Sequence, residues 1–219
     1  MKDTYRHQGL RKQLIQSLQK KGISDERILS AMRQLPRHFF LDKAFEERSY
    51  EDKAFPIGSS QTISQPFTVA YQTELLNVEK HQKVMEIGTG SGYQAAILKL
   101  LGGRVFSVER QEALHEATRK RLQSLGFDQI KLFWRDGYLG LKEYAPFDRI
   151  LVTAGATEIP KALLEQLAID GIMVIPVGPQ ENKVMMRITK VAANKFQRET
   201  FDLFRFVPFL KGINNKSRD

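Results

Sequence analysis

The segment Val84-Met85-Glu86-Ile87-Gly88-Thr89-Gly90-Ser91-Gly92-Tyr93-Gln94 constrains the fold more than any other part of the chain. A short apolar run ends in an acid. Three glycines follow at alternate positions, and then an apolar helical pattern begins at Ala95, Ala96, Ile97 and Leu98. This is the pattern of a strand, a tight backbone turn and a helix start in an open α/β sheet. Glycine suits the turn because a side chain would keep a ligand off the backbone and because φ is free to turn positive. Nucleotide-like ligands bind at such turns, beyond the C-terminal ends of parallel strands.

The spacing narrows the ligand. A dinucleotide fingerprint reads G-x-G-x-x-G/A. Here the third glycine comes one position early, and Tyr93 stands where the fingerprint wants Gly or Ala. Glu86 at the strand end is also unlike a hydride-transfer site. These departures favour S-adenosylmethionine, which has no pyrophosphate to cradle and carries an ammonium that an anion would hold. Glu109 ends the next apolar run, about 20 residues on, where an acid can accept hydrogen bonds from ribose hydroxyls. Asp136 follows a third run, Ile130 to Trp134, and is either the first residue of an Asp-Gly turn or a partner for an adenine amino group.

Strands are expected near 84–87, 105–108, 130–134, 149–153 and 172–177, and helices near 91–101, 111–125 and 160–168. Alternation of this kind reads as a Rossmann-like, doubly wound, mostly parallel sheet. Two helices precede it, over 6–21 and from Ser24-Asp25-Glu26 to Pro36. A third begins at Ser64 with Pro66 in its first turn, its face formed by Phe67, Ala70, Tyr71, Leu75 and Val78. Residues 37–63 show little periodicity, and stretches of that length are often functional. After Gly178-Pro179 an antiparallel hairpin is expected about Ala193-Asn194-Lys195, with a frayed end from Gly212 to Asp219. The whole chain, 1–219, reads as one domain: an N-terminal helical and substrate-binding segment (1–80), a cofactor-binding core (81–180) and a C-terminal hairpin and tail (181–219).

Composition excludes several chemistries. With no cysteine, a thiol nucleophile and thiolate metal ligands are ruled out. No apolar run approaches the roughly 18–20 residues that span a bilayer, and Met1 to His7 carries no apolar stretch behind it, so neither membrane nor export is expected. The net charge of +9 lies wholly in the flanks, residues 1–53 and 180–219, while the middle is balanced. Those charges are interspersed with acids and read as solvated surface rather than a nucleic-acid footprint. The histidines, His7, His38, His81 and His115, read as surface or packing residues, and no metal site is expected. No Asn/Asp-Pro-Pro-aromatic segment follows the fourth strand, where base amino methylation would want one; the chain there reads Val152-Thr153-Ala154-Gly155. Acceptors that need no strong base remain. A carboxylate, with a pKa of about 4, is already ionised at pH 7.

Gly58-Ser59-Ser60-Gln61-Thr62-Ile63-Ser64-Gln65-Pro66, with the glycine loop, Ala145-Pro146-Phe147-Asp148 and Arg205-Phe206-Val207-Pro208, closely resembles the protein-L-isoaspartate (D-aspartate) O-methyltransferase family. The resemblance runs from about Leu10 to Gly212. It implies methyl transfer from S-adenosylmethionine to the free carboxylate of L-isoaspartyl, and by the family name D-aspartyl, residues in damaged proteins. It implies a cofactor pocket of Glu86, Gly88, Thr89, Gly90, Ser91, Gly92, Glu109, Arg110, Asp136 and Gly137. By position Ser64 matches the family's active-site serine, a role compatible with its being a helix N-cap. Thr62, Ile63, Val207 and Pro208 match segments that border the substrate backbone, or else they pack. A monomeric cytoplasmic repair enzyme with no nucleic-acid or membrane partner is the leading expectation. An RNA or small-molecule methyltransferase and a nicotinamide-dependent oxidoreductase are the alternatives, separated by labelled-cofactor binding and by salt dependence.

Overall fold

The computed structural model describes residues 2–179 and 181–215. Helix α1 (Tyr5–Lys20) starts at a Thr4 cap and buries Leu14, Ile15 and Leu18. Gly22, at φ 97°, lets the chain turn out of it. Helix α2 (Glu26–Gln34) is capped by Asp25, whose carboxylate accepts from the Arg27 N–H, and buries Ile28, Leu29 and Met32. Residues 37–63 hold more order than their sequence suggests. Two 3-10 turns, Arg37–Phe40 and Lys43–Phe45, lead into a small hairpin of β1 (Phe55–Gly58) and β2 (Gln61–Ile63). Its turn puts Ser59 and Ser60 at φ 49° and 53°, a left-handed pair that no glycine-rich signature announces.

Helix α3 spans Pro66–Leu76, two residues later than expected, with Gln65 at the cap position. Asp52, from the preceding loop, receives the Phe67 N–H at 2.8 Å and so caps the helix from outside it. The buried face also differs from the expected one: Val69, Ala70, Gln72, Thr73 and Leu76 are covered, while Phe67, Tyr71 and Leu75 are half-buried. Polar groups tolerate that burial because they are paired. Gln72 Nε2 donates to the Val152 carbonyl, and Thr73 Oγ1 to that of Val69.

The sheet then alternates as read: β3 (Lys83–Ile87), α4 (Tyr93–Leu100), β4 (Arg104–Glu109), α5 (Glu112–Ser124), β5 (Lys131–Trp134), β6 (Phe147–Val152), α6 (Lys161–Glu165) and β7 (Leu167–Val177). Strands β8 (Asn182–Ala192) and β9 (Lys195–Arg205) close it as an antiparallel hairpin turning at Asn194, φ 59°. The strand order is β5-β4-β3-β6-β7-β8-β9, parallel through β7. The chain steps outward from β3 to β5 and then returns to the other side of β3, so the switch point lies between β3 and β6. Ligands of doubly wound sheets bind beyond the C-terminal ends there. One core cluster packs α1 to α4 on one face of the sheet; Leu141, Phe147, Leu163 and Phe209 belong to the cluster on the other.

The segment after β9 corrects the expectation of a frayed end. The Gly155 N–H donates to the Val207 carbonyl, and the Phe209 N–H to that of Gly155. Asn214 exchanges backbone bonds with Arg110 and Glu112. Residues 206–214 therefore form a strap across the sheet's C-terminal end. The rest of the segment expected to fray, residues 216–219, lies outside the described residues.

Candidate active site

The glycine loop joins β3 to α4 and begins with the Gly88 and Thr89 N–H groups both donating to the Val108 carbonyl. Gly88 sits at φ 99°, and a Cβ there would come 2.5 Å from Thr153 Oγ1. Gly90, at φ 51°, would place a Cβ 3.3 Å from Ile57 Cδ1, so the β1–β2 hairpin closes directly over the loop. Gly92 does a different job. A Cβ there would strike Thr118 Cγ2 at 2.8 Å, so it lets α5 pack against the start of α4 and does not line the cavity beside the loop.

That cavity is lined by Gly88, Thr89, Gly90, Ser91, Glu109, Arg110 and Gly137 from the strand ends. Thr62, Ile63 and Ser64 line it from β2 and the approach to α3, and Val207, Pro208, Phe209 and Leu210 from the strap. Glu109 is buried at the tip of β4. Its Oε2 accepts the Gly90 N–H and its Oε1 the Gln111 N–H, each at 2.9 Å. Burial pushes this carboxyl up, and the N–H groups of Gln111, Gly90 and Arg110 pull it back. Each oxygen retains a lone pair for a ligand hydroxyl. Ser64 lies between Ile63 and Pro66, and its hydroxyl bonds no described residue. It caps no helix, since Asp52 serves α3.

Besides Gly92, two further residues expected at the cofactor, Glu86 and Asp136, stand outside the cavity lining. Glu86 is fully buried and does not reach the cavity. Its Oε2 accepts from Ser107 Oγ at 2.5 Å, and Ser107 pairs with Thr89 Oγ1 at 2.6 Å, so the carboxyl stands behind the loop and props it. Burial raises its pKa to about 8, outweighing the Ser107 bond that lowers it, and the nearby Glu109 carboxylate adds to the rise. Asp136 has two backbone partners. Its Oδ1 accepts the Tyr138 N–H, the turn reading, and its Oδ2 accepts the Gly212 N–H at 2.7 Å, which pins the strap. Arg110 helps pin it, through Nε to the Gly212 carbonyl.

Gln61, Tyr93, Gln94, Thr153 and Phe209 also line the cavity and were not singled out from sequence. Gln94 carries a signal only in three dimensions: its Nε2 donates to Thr73 Oγ1, while its Oε1 is buried without a protein partner. Phe209 packs on Gly137, where a Cβ would come 3.1 Å from its ring and 2.4 Å from Ile87.

Away from the cavity, Asp3, His7 and His38 bring potential metal ligands within 4.8 Å of one another. Arg11 already forks onto Asp3, at 3.1 and 2.8 Å, and holds its carboxyl below the usual range. His7 and His38 stack with ring centres 4.0 Å apart, and His38 Nδ1 pairs with the Tyr50 hydroxyl. The arrangement ties the N-terminal residues to the loop that follows α2.

Comparisons with known proteins bear on this geometry. The family described as protein-L-isoaspartate(D-aspartate) O-methyltransferase matches residues 9–214. A protein-L-isoaspartate O-methyltransferase of Christiangramia forsetii is 53% identical over 214 residues, covering 98% of this chain and all of that one. Its counterpart in Dictyoglomus thermophilum is 47% identical, covering 96% and 94%. Among solved structures, a Plasmodium falciparum protein described as a protein-L-isoaspartate O-methyltransferase, in complex with S-adenosyl-L-homocysteine, is 26% identical. It superposes with a TM-score of 0.81 over 92% of this chain and 99% of its own.

Proposed function

Because the chain belongs to the protein-L-isoaspartate(D-aspartate) O-methyltransferase family, we propose that its methyl-transfer centre lies where Ser64 faces the Gly88–Ser91 loop. The chain is an S-adenosylmethionine-dependent methyltransferase of the free carboxylate of isoaspartyl residues in damaged proteins. The observation that carries the centre is one shared cavity. The Thr62-Ile63-Ser64 segment, the glycine loop, Glu109 and the strap all line it, though they are far apart in sequence.

The residues present fit the cofactor. Gly88 and Gly90 line the cavity with bare backbone, Glu109 offers acceptors for ribose hydroxyls, and Phe209 over Gly137 supplies an apolar wall for a flat base. S-adenosylmethionine supplies a methyl group on a positively charged sulfur; the substrate carboxylate oxygen bonds to that carbon as the carbon–sulfur bond breaks, leaving a methyl ester and the neutral thioether.

The protein's own task is position and exclusion of water. No general base is required, because the acceptor is already an anion at pH 7. The Ser64 hydroxyl donates to one carboxylate oxygen and turns the other towards the methyl group. Thr62, Ile63, Val207 and Pro208 border the peptide on either side. D-Aspartyl residues are a further substrate on this reading, and the enzyme works as a cytoplasmic monomer, with neither nucleic acid nor membrane as partner. No helix among the described residues is long and apolar enough to cross a bilayer.

Labelled S-adenosylmethionine with an isoaspartyl peptide, and with the same peptide carrying normal aspartate, tests the reading. A base-labile methyl ester on the first alone is expected. Equal labelling of both, or labelling only of RNA, would overturn it.

A further inference from the structure

A second cleft, of ≈ 470 Å³, opens beside the methyl-transfer centre and shares Thr62, Ser64, Thr153 and Val207 with it. Its remaining walls are mostly apolar: Ala54, Phe67, Leu203, Phe204 and Phe206. Phe67 and Phe204 lie nearly parallel, with ring centres 6.3 Å apart, and Tyr71 packs on Phe204 at 5.1 Å. A bulge builds this surface. Two steps along β8, Val184 to Met186, face three along β9, Leu203 back to Thr200. The extra residue lets Phe201 and Phe204, three apart, both turn to α3, where strict alternation would send them to opposite faces. Asp202 and Arg205 stand at the cleft, and Asp202 accepts from the Tyr71 hydroxyl.

A peptide whose carboxylate lies at Ser64 must leave the centre in two directions. Val207 and Thr62, common to both cavities, make this cleft one of the exits. We infer that it is a specificity subsite holding the side chain of one residue that flanks the isoaspartyl position, and that it selects aromatic and aliphatic side chains over acidic ones. The selection follows from the walls. An apolar side chain loses water against Phe67, Phe204 and Phe206. A flanking carboxylate loses hydration against those rings, and the opposite charges of Asp202 and Arg205 at the cleft offset each other. This inference rests on the methyl-transfer reading above.

The test is a panel of isoaspartyl peptides in which the preceding or the following residue is Gly, Leu, Phe or Asp. On one side only, Leu and Phe should exceed Gly by about tenfold in kcat/KM, the scale of one side chain in an apolar pocket, with Asp close to Gly. Phe204→Ala should reduce the preference for Leu and Phe over Gly to about twofold, with cofactor binding by calorimetry serving as the check on folding. Should that variant fail to bind cofactor, Phe204→Leu provides the same comparison, with the preference for Phe falling more than that for Leu. Equal kcat/KM across the wild-type panel, or an undiminished preference in a cofactor-binding variant, overturns the subsite. Failure to methylate any isoaspartyl peptide while cofactor binds overturns the methyl-transfer reading instead.

Discussion

Replacing Glu86 with Gln probes the prop beneath the glycine loop. The carboxyl is fully buried, one oxygen bonds Ser107, and the other has no partner. Its pKa rises from 4.5 to about 8 in the folded protein. Between those values the folded state holds a proton that the unfolded state has released, so stability falls as pH rises. The contribution is complete below about pH 4.5, declines by about 1.4 kcal/mol per pH unit, and levels off above pH 8. At pH 7 the difference amounts to about 3 kcal/mol. Gln has nearly the same shape, keeps an acceptor for Ser107 and does not titrate. The stability of Glu86→Gln minus that of the native chain should therefore climb by roughly 3–4 kcal/mol between pH 5 and pH 8. Groups remote from Glu86 titrate alike in both proteins and cancel; Glu109, whose charge acts on Glu86, is the exception. Urea unfolding at four pH values measures the difference. Parallel curves for the two proteins would refute the reasoning, because they would mean that Glu86 does not hold its proton on folding. The same variant tests whether Glu86 meets the cofactor's ammonium. Affinity for S-adenosylmethionine at pH 7 should stay within about threefold, whereas a lost ion pair to its ammonium would cost tenfold or more.

Ser64→Ala should leave the melting temperature nearly unchanged, since Asp52 caps α3, while turnover falls about tenfold, the equivalent of one orienting hydrogen bond worth about 1.4 kcal/mol. Ser64→Thr should recover part of it, and undiminished turnover in Ser64→Ala would remove the hydroxyl from the reaction. Glu109→Ala should weaken S-adenosylmethionine binding by roughly 1.5–3 kcal/mol in calorimetry. It should also lower stability by about 1–3 kcal/mol, because the Gly90 and Gln111 N–H groups lose their acceptor; unchanged affinity would mean that the ribose is held elsewhere.

The order of elements from β3 to β9 was legible because each follows from local pattern. Parallel strands buried on both faces read as apolar runs, amphipathic helices repeat near 3.6 residues, and the glycines of the β3–α4 turn meet a steric demand that only they satisfy. The β1–β2 hairpin was not legible. Its turn carries two exposed serines in the left-handed region, which serine's own preferences do not announce, while Ile57 of the hairpin lies over Gly90. The cap of α3 escaped for a related reason: Ser64 has the right chemistry near the right place, but the accepting carboxylate, Asp52, arrives from a separate loop.

Sequence by itself determined the doubly wound sheet, the place of the glycine loop, and several of the segments that border the cavity. Spacing along one chain is enough for these, since a strand, its turn and the acid at the next strand tip are fixed by short-range geometry. Tertiary structure alone decided what each polar side chain does. Glu86 and Asp136 share their residue types and strand-end positions with Glu109, yet one is sealed behind Ser107 and the other is taken by Gly212, while Glu109 faces the cavity. Burial and hydrogen-bond partners set a carboxyl's charge and direction, and both come from segments distant in sequence: Ser107 lies 21 residues from Glu86, and Gly212 lies 76 from Asp136. The pattern of a chain shows where acids stand; the packing around them decides which face the cavity.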